Sequence, residues 1–79
     1  MKIEVRLFAN LADYLPPGAR SDGATVEVPE GTTVGDLARH LAIPDDLPRL
    51  VLVNGHDAAA DQPLRPGDVV SLVPPLAGG

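Results

Sequence analysis

The chain opens with KIEVRLFA, in which Ile3, Val5 and Leu7 alternate with Lys2, Glu4 and Arg6. That period of two predicts a half-buried strand. Phe8 falls on the Lys/Glu/Arg side, the face expected to meet water. In NLADYLPPG, Asn10 can cap a short helical turn that Pro16, Pro17 and Gly18 end. ARSDGA reads as a loop, and TVEVPEG as a second strand with Val26 and Val28 on one face. TTVGDLARHLAIP carries the surest helical stripe, Val34, Leu37, Ala38 and Leu41 at i, i+3, i+4 and i+7. Thr33 caps it, Asp36 takes the third position of a capping box, Gly35 weakens it slightly and Pro44 stops it.

A third strand, Leu50 to Val53, runs into Asn54-Gly55, a tight-hairpin signal, and its partner is expected to be short and polar. After the turn material QPLRPGD, VVSLV forms the last strand, with Val70 and Leu72 on one face and Val69, Ser71 and Val73 on the other. A single helix of about ten residues covers only one face of a small sheet. The pattern therefore predicts an α+β layer pair whose other sheet face, carrying Phe8, Val69 and Val73, is open to solvent or a partner. One domain, 1–73, is expected, followed by an extended tail, 74–79.

Composition narrows the chemistry. Seventy-nine residues with 44% apolar content, one Phe, one Tyr and no Trp describe a small aliphatic core, and with no cysteine neither a disulfide nor a thiolate metal site can supplement it. A net charge of −5 repels nucleic acid phosphates and anionic lipid and suits a partner with a basic groove. No stretch approaches the roughly 20 apolar residues that span a bilayer. The expectation is a soluble, cytoplasmic protein with no nucleic acid or membrane partner.

Side-chain catalysis finds little support. His40 and His56 lack a second ligand at metal spacing, so no metal site is expected. Asp45 and Asp46 lie in a Pro-bounded loop, GTTVG lacks the length and the lysine of a phosphate loop, and Ser21 and Ser71 have no evident base. What remains is the end, PPLAGG. A Gly-Gly ending arises by chance roughly once in 200 chains at ordinary glycine usage. Pro74 and Pro75 favour a stiff, extended exit from the last strand. Six residues reach roughly 20 Å, enough to enter a deep pocket of another protein. Gly78 and Gly79 make the tip narrow and conformationally free. The group so presented is a carboxylate, ionised at a pKa of about 3.5 and a poor electrophile. It needs activation, most simply as an acyl adenylate formed with ATP, after which it can accept sulfur or be joined to an amine.

Taken together, VRLFANL, VPEGTTVGDL, VLVNG and LRPGDVVSLVPPLAGG resemble, end to end, the ubiquitin-like β-grasp sulfur carriers, nearest to the small subunit of molybdopterin synthase. The resemblance implies a mixed sheet of four to five strands with one main helix on one face and a flexible C-terminal tail. It implies a carrier, not an enzyme by itself, with no bound cofactor. A ubiquitin-activating-type enzyme would adenylate Gly79 with ATP, and a persulfide donor would convert it to a thiocarboxylate. The tail would then enter the large synthase subunit, where two carriers in turn deliver the dithiolene sulfurs of molybdopterin. Gly79 would bear the sulfur and Gly78 give clearance, while Pro74, Pro75, Leu76 and Ala77 would line the passage. Phe8 and Val73 match an apolar docking patch of the family.

Two positions depart from the family pattern: Asp57, where some relatives have an apolar patch residue, and Ala12-Asp13, where many have Arg-Glu. Sulfur carriage for molybdenum or tungsten cofactor assembly is the leading expectation. Thiamine, cysteine and tRNA-thiolation carriers are the alternatives within the class. A modifier joined to proteins through Gly79, or a purely structural module, are the alternatives outside it.

Overall fold

A computed structural model describes residues 1–15, 19, 23–44 and 46–75. Leu76, Ala77, Gly78 and Gly79, with Pro16–Gly18, Ser21 and Asp45, lie outside the described residues. Five strands form one sheet: β1 (Lys2–Leu7), β2 (Gly23–Glu27), β3 (Leu50–Val53), β4 (His56–Asp57) and β5 (Val69–Val73), in the order β2-β1-β5-β3-β4. β5, the last strand in sequence, lies at the centre. It runs parallel to β1, with Val5 opposite Val70 and Leu7 opposite Leu72, and antiparallel to β3, with Val51 opposite Leu72 and Val53 opposite Val70.

Each strand's alternation sorts its side chains between the faces. Ile3, Val5 and Leu7 from β1, Val26 from β2, Val53 from β3 and Val70 and Leu72 from β5 are buried together under the helix α1 (Val34–His40). Burying these aliphatic side chains is the main favourable contribution to folding, on the order of 1.5–3 kcal/mol for each fully buried Val, Leu or Ile. Leu37 of α1 and Leu11 of the 3-10 turn Ala9–Tyr14 complete the core at 1% and 0% exposure. This is the ubiquitin-like β-grasp arrangement that the sequence resemblance implies.

The start of α1 is built as the sequence predicts. Thr33 Oγ1 accepts from the Asp36 N–H at 3.2 Å, and Asp36 Oδ2 accepts from the Thr33 N–H at 3.2 Å. The next two amides are satisfied from outside the helix: Val34 N–H donates to Gln62 O at 3.0 Å and Gly35 N–H to Ala60 O at 2.8 Å. Gly35 is therefore a position of close approach, since a Cβ there would stand 3.2 Å from Ala60 O.

Two expectations need correction. The helix has seven residues rather than ten, ending at His40 with Leu41 as C-cap. Ala42 adopts φ +63°, its N–H donates to Arg39 O at 3.0 Å, and Ile43 N–H donates to Ala38 O at 3.0 Å. This pair of bonds is the Schellman closure, which ends the helix before Pro44 is reached. The early helical turn does not begin at Asn10. The turn is 3-10, its cap position is Phe8, and no side chain caps it. The hairpin matches expectation: Asn54 (φ +53°) and Gly55 (φ +86°) both take the left-handed conformation that a two-residue turn of this type requires.

Candidate functional site

Phe8 continues the outward register of β1. Its backbone stays extended (φ −112°, ψ 154°), and its N–H donates to Leu72 O at 3.2 Å, so the parallel ladder sets it beside Val73. Ala9, with φ +54°, then turns the chain away, and buried Leu11 holds that turn down. On the other flank of β5, Leu50 is the Cα partner of Val73. Because Val51 and Val53 oppose inward-facing Leu72 and Val70, Leu50 must point to the open face. Phe8, Val73 and Leu50 thus form a row across three adjacent strands. Phe8 is 37% exposed and Leu50 49%, and no other large apolar side chain among the described residues is classed as exposed.

This row lies at the end of the sheet where β5 gives way to Pro74 and exposed Pro75. Two residues towards the opposite end, Arg6 stands opposite Ser71 and forms an ion pair with Glu4 at 2.8 Å. The apolar row is therefore bounded by a charged pair on one side and by the outgoing tail on the other. Through Leu50 it continues round the β3 edge into a groove of about 610 Å³ shared with Leu47, Pro48 and Asp57. Asp57, the β4 partner of Leu52, places a charge beside that groove.

The remaining polar candidates are dispersed. His40 is exposed in the last turn of α1 and His56 is exposed on β4. Ser71 lies mid-strand on the open face, and Asp46 is exposed in its loop. No group of three or more His, Asp or Glu among the described residues is arranged to hold a metal. Asp36 borders a shallow depression with Glu30 and His40, but its oxygens are engaged by Thr33 and Arg39. The Thr33 N–H, then the Thr33 hydroxyl, then the Arg39 guanidinium hold the Asp36 carboxyl below its ordinary pKa. That marks a helix cap, not a proton-transfer group.

The open face thus carries an apolar row beside the point where β5 ends. Phe8 and Val73 lie on that face as the alternation predicts; Leu50 does not appear among the sequence-based site residues. The run LVLV has no polar contrast to separate its faces. Only the register against β5 settles which residues point outward.

A family model described as ThiS family matches residues 5–79. The chain belongs to the ThiS family. Solved structures similar to this ThiS-family chain include small archaeal modifier protein 1 of Haloferax volcanii, at 31% identity over 95% of this chain and 98% of that one, with a TM-score of 0.74. A putative molybdopterin converting factor subunit 1 from Pyrococcus furiosus aligns at 28% identity over 95% and 98% of the two chains, with a TM-score of 0.75. A complex of subunits 1 and 2 of the molybdopterin-converting factor from Helicobacter pylori matches at 25% identity over the full length of both chains, with a TM-score of 0.63. No curated protein matches this ThiS-family chain. No helix among its described residues is long and apolar enough to cross a membrane.

Proposed function

We propose that this ThiS-family chain carries sulfur on Gly79 and delivers it in molybdopterin biosynthesis. The observation that carries the reading is the juxtaposition of the Phe8–Val73–Leu50 row with the point where β5 releases the chain into Pro74. A partner docked on that row receives residues 74–79 directly. The described residues contribute docking and presentation, and the chemistry belongs to the partners.

In this reading an adenylating enzyme of the ubiquitin-activating type converts the Gly79 carboxylate to an acyl adenylate with ATP. A persulfide donor then replaces the adenylate with sulfur, giving a thiocarboxylate. The acceptor enzyme is the large subunit of molybdopterin synthase, a choice supported by the subunit 1 and subunit 2 pairing described for the Helicobacter pylori factor. Gly78 and Gly79 leave room for the reagents, and Pro74, Pro75, Leu76 and Ala77 line the partner's passage. Thiamine, cysteine and tRNA thiolation are the competing destinations for the same carried sulfur.

Incubation with the cognate activating enzyme, ATP and a sulfur donor should raise the intact mass by the difference between sulfur and oxygen. Removing Gly78 and Gly79 should abolish the gain without moving the melting transition. Failure of the full-length chain to gain mass with a competent enzyme overturns the reading. The likeness to a small archaeal modifier protein supports a second reading, conjugation of Gly79 to lysines of other proteins. A ladder of conjugates in cell lysate that disappears with Gly78 and Gly79 would favour it.

A further inference from the structure

The chain contains one lysine, Lys2, five arginines and no cysteine. A guanidinium stays protonated in proteins and does not act as a nucleophile in water. Two amines are therefore available to attack an activated acyl group, the Met1 α-amine and Lys2 Nζ. The fold treats them differently. The part-buried Met1 ammonium donates to Val28 O at 2.7 Å, and the Val28 N–H donates back to Met1 O at 2.9 Å. Lys2 is exposed on the open face.

We propose that Lys2 is the acceptor through which activated copies of this chain join one another, always between molecules and always by one linkage. The parallel register sets Lys2 at the limit of reach of the tail of its own copy. Gly67 N–H donates to Lys2 O at 2.8 Å, which places Lys2 level with residue 67, at the opposite end of β5 from the tail. Six residues of strand, roughly 20 Å at 3.3 Å each, separate that level from Val73. Residues 74–79 extend no further than that when straight, and a reversal through Pro74 and Pro75 uses two or three of them. A second copy has no such constraint.

The inference rests on activation of Gly79, which sulfur carriage and conjugation share. In the joining step the Lys2 amine attacks the Gly79 acyl carbon of another copy. A C–N bond forms, the acyl–O bond to phosphate breaks, AMP leaves with the electron pair and the amine proton passes to solvent. ATP supplies the AMP, with pyrophosphate released in the earlier activation.

The test uses the full chain in two preparations: one activated by its adenylating enzyme and ATP, the other bearing Gly79 as a chemically prepared alkyl thioester. In an unstructured peptide the α-amine, with the lower pKa, is acylated ahead of a lysine. Linkage at Lys2 therefore reports the protection that Val28 gives Met1. The expected result is a covalent dimer whose formation rate rises with the square of protein concentration, with the branch at Lys2 by peptide mapping. Lys2→Arg should reduce dimer at least tenfold while the melting transition and thioester reactivity towards added free amine stay unchanged. Dimer branched at Met1, dimer undiminished in Lys2→Arg, a cyclised monomer, or hydrolysis alone would overturn the inference. If the enzyme forms no adenylate while the thioester still joins at Lys2, the proposed function fails and the inference stands.

Discussion

Asn54 and Asp68 are joined side chain to side chain, Asn54 Nδ2 donating to Asp68 Oδ1 at 3.0 Å while Asn54 Oδ1 accepts from the Val69 N–H at 3.0 Å. The hairpin after β3 is thereby fastened to the first residues of the central strand. Asn54→Asp keeps an acceptor for Val69 but sets two carboxylates at hydrogen-bond distance. Such pairs hold a proton more tightly than isolated carboxylates. The folded variant then binds more protons than the unfolded chain, so its stability falls as pH rises through the carboxylate range. Denaturant titrations should show a loss of about 1–2 kcal/mol at pH 7 that shrinks towards pH 4.

Asp36 gives the opposite slope. Its folded pKa is lowered, first by the Thr33 N–H, then by the Thr33 hydroxyl and Arg39. Its contribution is complete above the unfolded carboxylate pKa and is lost as pH falls through the folded value. Asp36→Asn should flatten the acid limb of the stability curve, measured as the midpoint of thermal unfolding between pH 6 and pH 2.

The two ends of α1 predict substitutions that invert the usual preference. Ala42 holds φ +63° without being glycine. Ala42→Gly should therefore stabilise by about 1 kcal/mol, relieving a left-handed alanine.

At the other end, Gly35→Ala would ordinarily favour a helix. Here the new Cβ meets Ala60 O at 3.2 Å, on a loop held by bonds from both Val34 and Gly35. The expected result is a loss of about 1 kcal/mol, read from urea midpoints.

Those positions also show what the pattern of the chain disclosed. The stripe of α1, its capping box and the alternation of β1 and β5 were legible because each side chain's neighbours along the chain determine its face. The left-handed conformation of Ala42 and the outward turn of Leu50 were not, because both are set by bonds to residues distant in sequence or invisible to periodicity. Phe8 was legible as a surface residue, but its alignment with Val73 rests on a parallel pairing that no local signal carries. Leu76, Ala77, Gly78 and Gly79 were prominent in sequence and lie outside the described residues.

If the proposed function holds, the Phe8–Val73–Leu50 row separates binding from stability. Phe8→Ala and Leu50→Ala remove side chains that are already 37% and 49% exposed, so unfolding should shift by no more than about 0.5 kcal/mol. Affinity for the partners proposed above, the activating enzyme and the synthase large subunit, should then fall tenfold or more by calorimetry, as for anchors of a small interface. Val73→Ala should do both, weakening binding and costing stability, because Val73 is half-buried in the central strand.

The central position of β5 has a consequence during synthesis. Among the described strands residues 69–73 are made last, and β1 and β3 have no partner in the middle of the sheet until that strand arrives. A nascent chain cannot close its core before β5 is made, and a chain lacking β5 has a sheet split in two. Folding therefore waits on residues 69–73, and a copy without them presents no Phe8–Val73–Leu50 row.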